Sequence, residues 1–175
     1  MAHGEQMDFC KSVKQRFPEH FKNKKVLDVG SQDINGNNNY LFEDCEVLGI
    51  DLGPGNNVNL VCHGADLDHE NETYDTVIST EAFEHDARFK ESLENIVRLL
   101  KPNGMFLFTC AAPGRPEHGT HGAVSWASPH TLDFYQNRSE EDVRALIDID
   151  GVFPQHEFSL NPIGSMDLYF WGIKK

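Results

Sequence analysis

The fold is decided by one stretch of the chain, KVLDVGSQDING at residues 25–36. Apolar residues dominate its first half, as in a strand that is buried on both faces, and Gly30 then permits a tight turn. A polar loop rich in Asn and Gly follows. We expect this loop to lie at the carboxyl end of a central strand, where open α/β sheets bind their ligands.

Four further stretches have the character of strands. They cover residues 46–51, 57–62, 74–80 and 105–110. Between the last two, apolar residues recur at the spacing of one helix face, before a turn at residues 101–104. The members of that face are Phe89, Leu93, Ile96, Val97 and Leu100. Strands that alternate with helices favour a mostly parallel sheet with helices on both faces.

The C-terminal part of the chain predicts a helix and a hairpin. Ser139 and Asp142 resemble a capping box that opens the helix, which Gly151 can close. Two strand-like runs follow, at residues 152–160 and 167–173. The link between them is too short for a parallel crossover, so the terminal strand is predicted to be antiparallel.

Composition and charge narrow the class of protein. The 175 residues suit one domain and leave no room for a second. With 28 Asp and Glu against 15 Lys and Arg, the net charge of −13 repels phosphate backbones and anionic lipid, so nucleic acid is not expected as a partner. The sequence has no signal-peptide pattern and no apolar run near the roughly 20 residues that span a bilayer. We therefore expect a soluble, cytoplasmic protein that does not bind membranes.

Two predicted strand ends carry residues suited to binding a nucleoside. Asp51 ends the second strand, at the same edge of the sheet as Gly30. Carboxylate oxygens there can accept hydrogen bonds from both hydroxyls of a ribose, and a glycine lets the ligand approach the backbone closely. Taken alone, each residue also fits a structural role, Asp51 as a cap and Gly30 as a turn residue. The two residues together indicate a nucleoside site more specifically than either residue does alone.

Four segments resemble, in order and spacing, successive motifs of the class I S-adenosylmethionine-dependent methyltransferases. They are VLDVG at residues 26–30, GID at 49–51, YDTVISTEAFEH at 74–85 and LLKPNGMFL at 99–107. The resemblance implies a Rossmann-like α/β fold, with a seven-stranded, mostly parallel sheet, an antiparallel last strand and helices on both faces. It also divides a single domain, residues 1–175, into four parts. These are an N-terminal helix at 1–23, a donor-binding core at 24–112, an acceptor loop at 113–138, and a helix with a C-terminal hairpin at 139–175.

The resemblance implies that the loop after the first strand holds the methionine part of the methyl donor. Gly30, Ser31 and Gln32 would line the donor, and Asp28 would shape the loop. The family usually has a glycine at the position of Gln32, so this loop is longer and bulkier than the common form. Some members carry a similar D-x-G-S-x-D-x-N-G loop, which indicates that the donor still binds.

The resemblance assigns the rest of the donor to later strand ends. Asp51 would hold the ribose hydroxyls, with Leu52 against the adenine. Asp66 would accept a hydrogen bond from the adenine amino group, flanked by Leu67, and Thr80 would lie under the methionine. The implied cofactor is S-adenosylmethionine, with S-adenosylhomocysteine as its product.

Methyl transfer from a sulfonium ion is an in-line displacement with an excellent leaving group. Most of the catalysis can come from aligning the acceptor with the methyl group, and a general base helps only where the accepting atom loses a proton. The candidates for that base are His85, His118, His121 and Glu81. A structural role is an open alternative for His85, because Glu-His pairs in the family are often structural or adjacent to the donor.

The loop at residues 113–135 leaves the ligand edge of the predicted sheet after the fifth strand. Long loops at this edge usually shape a binding pocket, so we expect a lid over the acceptor with His118 and His121 in its wall. With His130 and nearby carboxylates, these histidines also offer metal ligands. Their spacing matches no zinc pattern and the four cysteines are scattered, so no metal is predicted.

The predicted function is methyl transfer to a small polar acceptor molecule, such as a sugar or an amine. Two alternatives stay open. A nicotinamide-dependent oxidoreductase shares the strand-end glycine and acid, but it would need a G-x-G-x-x-G loop and usually a second domain. A non-catalytic module that binds S-adenosylmethionine is favoured only by Gln32. The sequence carries no signal for an oligomeric state.

Overall fold

A seven-stranded sheet organises residues 3–175, the part of the chain that the computed structural model describes. Its strands are β1 (Lys25–Val29), β2 (Glu46–Asp51), β3 (Leu60–Val61), β4 (Tyr74–Thr80), β5 (Leu100–Ala111), β6 (Gln155–Leu160) and β7 (Asp167–Ile173). They lie in the order β3-β2-β1-β4-β5-β7-β6. The strands β1 to β5 run parallel, whereas β7 is antiparallel to both β5 and β6. The Rossmann-like fold predicted from the sequence is confirmed.

Four α-helices accompany the sheet. They are α1 (Gly4–Arg16), α2 (Phe89–Leu99), α3 (Glu140–Leu146) and α4 (Ile149–Val152). The helix α1 begins earlier than its apolar pattern because His3 caps it, accepting a hydrogen bond from the backbone of Gln6. The helix α2 buries the apolar face that its spacing predicted. Among the described residues, no helix has both the length and the apolar character needed to cross a bilayer.

The sheet separates two apolar cores, because successive side chains of a strand point to opposite faces. In β5, Phe106 and Phe108 belong to the larger core, which α2 covers. Met105 and Leu107 alternate with them and belong to the smaller core, which α1 covers. All four side chains are fully buried. Each contributes about 1.5–3 kcal/mol by leaving water.

The turn predicted at residues 101–104 forms a bulge inside a strand. The strand β5 begins at Leu100, directly after α2, and its register with β4 jumps from Tyr74↔Leu100 to Thr76↔Met105. Asn103 has a left-handed φ of +61°, and this segment exchanges backbone hydrogen bonds with Lys174, which follows the neighbouring strand β7. A Cβ on Gly104 would lie within 3 Å of two backbone carbonyl oxygens, so the glycine permits close backbone approach in the bulge.

The C-terminal helix is divided in two. The capping box at its start is confirmed, with Ser139 and Asp142 each accepting a hydrogen bond from the other's backbone. The helix α3 ends at Leu146, however, and Gly151 does not close it. Gly151 lies inside α4, where its N–H donates to the side chain of Asp148. The prediction of one continuous helix is wrong because a second side-chain cap starts a new turn.

Candidate active site

A cleft lies across the carboxyl ends of β1, β2 and β4, at the centre of the sheet. It encloses about 760 Å³ of space, part of it open to solvent. The neighbours β1 and β4 connect to opposite edges of the sheet, and loops that diverge at such a switch point leave a crevice between them. Several residues predicted to bind the donor line this cleft. They are Gly30, Gln32, Asp51, Leu52 and Thr80.

Gly30 brings the loop after β1 against the loop after β4. Its φ is +77°, in the left-handed region that side chains disfavour. A Cβ at this position would clash with the Cβ of Ala82. The backbone N–H of Gly30 donates to the carbonyl oxygen of Ile50 at 2.9 Å, which ties the loop to β2. The junction of these three strand ends therefore requires glycine.

Asp51 forms the side of the cleft at the end of β2. One carboxylate oxygen accepts from the backbone N–H of Gln32 at 3.0 Å, and the other from that of Leu52 at 2.7 Å. These bonds fix the carboxylate at the strand end. Each oxygen keeps a lone pair, because a carboxylate oxygen can accept two hydrogen bonds. The arrangement can therefore receive two hydroxyl groups of a ligand.

Asp28 and Ser31 do not line the cleft, although Ser31 was predicted to line the donor. The buried carboxyl of Asp28 accepts two hydrogen bonds of 3.2 Å from the Asn38 side chain, which also donates to Thr80. Burial raises the pKa of Asp28 to about 7, although the bonds from Asn38 favour the charged form. The Ser31 hydroxyl donates to the backbone of Asn57 at 2.9 Å. Both residues shape the loop from behind.

Asp66 and Leu67, which were predicted to contact the adenine, do not line the cleft. The carboxylate of Asp66 receives two hydrogen bonds, of 2.7 and 2.9 Å, from the guanidinium of Arg88 on the protein surface. Leu67 is buried in the larger core. The cause is a 3₁₀-helix, Gly64–Asp66, which turns the chain at Asp66 and ends before Leu67. The residues that line the cleft here instead are Cys62, His63 and Gly64.

Glu81 lines the cleft just after β4 and belongs to a buried cluster of charges. Its carboxylate accepts from the Thr109 hydroxyl at 2.8 Å and from Arg115 at 2.5 Å. Arg115 also binds Asp167, whose carboxylate lies 2.9 Å from Nε2 of His3. Burial opposes ionisation, but the bond from His3 and the charge of Arg115 lower the pKa of Glu81 to about 2. A carboxylate held in this way does not fit the predicted role of general base.

His85 lines the cleft, whereas His118 is buried behind it, with their ring centroids 5.1 Å apart. Burial lowers the pKa of both imidazoles, that of His85 to about 3, so both are neutral. Next to them, Oε1 of Glu84 lies 3.7 Å from Nε2 of His118. Burial, reinforced by the charge of Glu81, raises the pKa of Glu84 to about 8. Of the two histidines, His85 alone reaches the cleft.

His121 is exposed and lies outside the cleft, with Nε2 3.4 Å from the carboxylate of Asp133. It does not form the predicted acceptor wall. The loop reaches the cleft further along, through residues 127–131, and His130 is the histidine that it contributes. Sequence reasoning considered His130 only as a metal ligand. In the sequence, Gly53 after β2 was the one sign that another segment approaches closely there. In the structure it leaves room for the His130 ring.

Three members of the charge cluster, His3, Arg115 and Asp167, were not predicted. Arg115 stands in the loop that was considered for binding, but nothing local marks a partner 52 positions away. Asp167 begins β7, whose other residues are mostly apolar and buried. An acid beside such an apolar run was the signal that the sequence offered, and its side chain is fully buried in the structure. His3 carries no signal beyond its place before a helix.

The chain belongs to a methyltransferase family. A family model described as a methyltransferase domain matches residues 1–146, which include every residue that lines the cleft. The resemblance inferred from the four sequence motifs is thereby confirmed. No curated protein matches the chain in sequence.

Solved structures of similar fold include methyltransferases with bound ligands. The 1,6-didemethyltoxoflavin-N1-methyltransferase of Burkholderia thailandensis, solved with 1,6-didemethyltoxoflavin and S-adenosylhomocysteine, is 16% identical with a TM-score of 0.66, over 97% of this chain and 78% of that one. A phosphoethanolamine N-methyltransferase of Haemonchus contortus, solved with phosphomonomethylethanolamine and S-adenosylhomocysteine, is 16% identical with a TM-score of 0.68, over 95% of this chain and 52% of that one. A Pyrococcus horikoshii protein is 15% identical with a TM-score of 0.62, over 98% of this chain and 90% of that one. At these identities the likeness is one of fold.

Proposed function

We propose that this methyltransferase binds S-adenosylmethionine in the cleft and transfers the methyl group to a small polar acceptor by in-line displacement. The observation that carries the proposal is the placement of Gly30 and Asp51 at neighbouring strand ends. The glycine lets the methionine part approach the backbone, and the carboxylate suits the ribose hydroxyls. Family membership and the lack of a G-x-G-x-x-G loop after β1 favour this reading over hydride transfer.

The donor would lie across the strand ends in an extended form. Its methionine part would pass Gly30 and lie under Thr80. Its ribose would meet Asp51, and its adenine would lie between Leu52 and residues 62–64. This order follows the cleft from the centre of the sheet toward β3, so the sulfonium methyl group would be near the loop that follows β4.

The acceptor would enter from the side of that loop, under the segment 113–138. The methyl carbon is transferred as its bond to sulfur breaks, so the acceptor atom must stand in line behind it. Among the four residues predicted as bases, His85 is the neutral imidazole that lines the cleft. Removal of an acceptor proton would therefore involve His85, either directly or through a group that is bound to it. The net charge of −13 and the small molecules bound by the two similar enzymes support a small acceptor over nucleic acid.

A non-catalytic binding module is the second candidate, and Gln32 is the feature in its favour. The structure accommodates that side chain without closing the cleft, since Gln32 packs where Gly55 leaves space. The bulk of the loop is therefore not an argument against donor binding. Turnover separates the two functions, because a module would bind the donor and leave it unconsumed with every acceptor offered.

Calorimetry with Asp51 variants tests the donor site. Asp51→Ala should weaken binding of S-adenosylhomocysteine by about 1–3 kcal/mol, because two ribose hydroxyls lose their acceptor. Asp51→Asn keeps one acceptor oxygen and should lose less. Asp133→Ala removes an exposed carboxylate outside the cleft and serves as the matched control. Binding of NADH in place of S-adenosylhomocysteine would overturn the proposal.

A further inference from the structure

Glu84, His85 and His118 form a second buried cluster, beside the donor cleft. One ligand atom from each residue can be chosen so that all three lie within 4.8 Å of one another. Within residues 3–175, four polar atoms of this cluster have no hydrogen-bond partner. They are both carboxylate oxygens of Glu84, Nδ1 of His85 and Nε2 of His118. Buried polar atoms in folded proteins are rarely left unpaired, so four in one cluster call for a ligand.

The imidazole of His118 is already held in the tautomer that a metal ion needs. Its Nδ1 is 3.2 Å from the carbonyl oxygen of Pro116, which can only accept, so this nitrogen carries the proton and Nε2 carries the lone pair. Nδ1 of His85 has no hydrogen-bond partner among residues 3–175, so this nitrogen is open to a ligand. Histidines that bind metals commonly donate their other N–H to a backbone carbonyl in this way.

The spacing and surroundings also suit a metal ion. Oε1 of Glu84 lies 3.7 Å from Nε2 of His118, close to the separation of two ligands that each stand about 2.0–2.2 Å from one ion. The ring of Tyr135 packs edge-on against both imidazoles, at centroid distances of 5.4 and 5.0 Å, and shields the site. Within residues 3–175, the His118 imidazole is the one basic group within 4 Å of the Glu84 carboxyl, so a bound ion would be its charged partner.

The other cluster of potential ligands differs in this respect. His3, Glu81 and Asp167 also bring ligand atoms together. Arg115 already binds both carboxylates there, and His3 approaches them from another side. The carboxylates of that cluster therefore already have side-chain partners, whereas neither carboxyl oxygen of Glu84 has a hydrogen-bond partner within residues 3–175.

We infer that Glu84, His85 and His118 bind one divalent transition-metal ion of the zinc or iron(II) type beside the cleft. Two imidazole nitrogens and one carboxylate are a donor set that such ions accept, and three protein ligands leave coordination positions open. His85 also lines the cleft, so an open position can face the acceptor. Metal binding does not depend on the proposed function, but its role in orienting an acceptor does.

For a hydroxyl acceptor, the role of the ion would be to lower the pKa of the bound hydroxyl group. The hydroxyl proton leaves to water, and the oxygen takes the methyl carbon as the carbon–sulfur bond of the donor breaks. The products are a methyl ether and S-adenosylhomocysteine. In this role His85 would hold the ion and would not itself take the proton.

Cobalt(II) titration of the chelator-treated protein tests the site directly. Wild type should bind one equivalent and develop the intense visible bands of four- or five-coordinate cobalt, which zinc then abolishes. Glu84→Gln and His118→Asn should each weaken binding by more than about 100-fold, because each loses a ligand rather than an outer partner. His121→Asn, which removes an exposed histidine of the same loop, should bind as wild type.

Each outcome of this titration bears on the inference. No bands in wild type, or binding by both ligand variants as tight as that of wild type, would overturn it. Circular dichroism identifies a variant that does not fold, in which case the other variant and the wild-type stoichiometry carry the test. Titration of the same chelated samples with S-adenosylhomocysteine keeps the two proposals apart. Intact donor binding without bands overturns the metal site alone, and bands without donor binding overturn the proposed function alone.

Discussion

The imidazole of His130 occupies the space that a side chain at position 53 would need. A Cβ on Gly53 would clash with three atoms of that ring. His130 belongs to the segment 127–131, which lines the cleft from the loop after β5. The turn after β2 and this distant segment therefore fit together only because residue 53 has no side chain.

Gly53→Ala should weaken binding of S-adenosylhomocysteine by about 1–2 kcal/mol, the cost of overpacking at one contact. The φ of Gly53 lies outside the left-handed region, so the backbone tolerates alanine and the clash with His130 is the main effect. Isothermal titration calorimetry measures the loss. His130→Ala in the Gly53→Ala background should recover most of the affinity, because contacting residues couple. Equal affinities of Gly53→Ala and wild type would show that the segment 127–131 does not hold the donor.

Gly30→Ala should lower the free energy of unfolding by about 2–4 kcal/mol, since a left-handed φ and a clash with Ala82 act together. Urea denaturation measures this change. Gly122→Ala is the matched control, because a Cβ there would meet only the Thr120 hydroxyl at 3.9 Å and the φ is not in the left-handed region. A Gly30→Ala protein as stable as Gly122→Ala would contradict the tight junction between the loops after β1 and β4.

The strands that build the cleft could be predicted because their signal is local. The run before Gly30 is apolar over consecutive positions, which indicates a strand buried on both faces, and the same holds for the run before Glu81. The positions where these strands end can then be read from the sequence as well. Asp51 and Gly30 could therefore be placed at one sheet edge without knowledge of any contact between them.

The positions that could not be predicted depend on contacts or turns without a local pattern. Asp66 was assigned to adenine by spacing from a motif, but a single 3₁₀ turn moves its carboxylate to Arg88 on the surface. The pairing of Arg115 with Asp167 joins a loop to the last strand. Charged residues far apart in sequence carry no periodicity, so only the folded chain brings them together.

The stability of the protein should fall as the pH rises from about 6.5 to 9, in part through His3. Burial opposes protonation of His3, but the carboxylates of Asp167 and Glu81, at 2.9 and 3.7 Å from its Nε2, outweigh burial and raise the pKa of His3 from 6.5 to about 9. A raised pKa of a base adds stability that is complete below pH 6.5 and disappears as the pH passes 9. Because His3 is partly exposed, solvent screening reduces the effect to about 1–2 kcal/mol. His3→Gln should lose this part of the pH dependence in urea titrations, and His121→Gln should retain it.

Arg115→Ala should destabilise the protein far more than the loss of a surface arginine, because it leaves two buried carboxylates with His3 as their one remaining cationic partner among the described residues. Glu81 and Asp167 are fully buried as side chains, and Arg115 binds both. Removing one partner of a buried ion pair costs about 3–5 kcal/mol, since the remaining charge cannot regain water. Urea denaturation at neutral pH measures the loss. The free energy of unfolding of Arg115→Lys should lie between those of Arg115→Ala and wild type, because lysine keeps the charge but not the planar guanidinium.

The matched control for this prediction is Arg88→Ala, which breaks the exposed pair of Arg88 with Asp66. That pair has equally good geometry, with two short hydrogen bonds, but both side chains are in water. Its loss should leave the free energy of unfolding nearly unchanged, because water replaces the partner of an exposed carboxylate. The difference between the two arginine variants therefore measures burial rather than hydrogen-bond geometry. Similar losses of unfolding free energy from both variants would mean that water reaches Glu81 and Asp167. The acceptor side of the cleft would then be more accessible to water than the structure indicates.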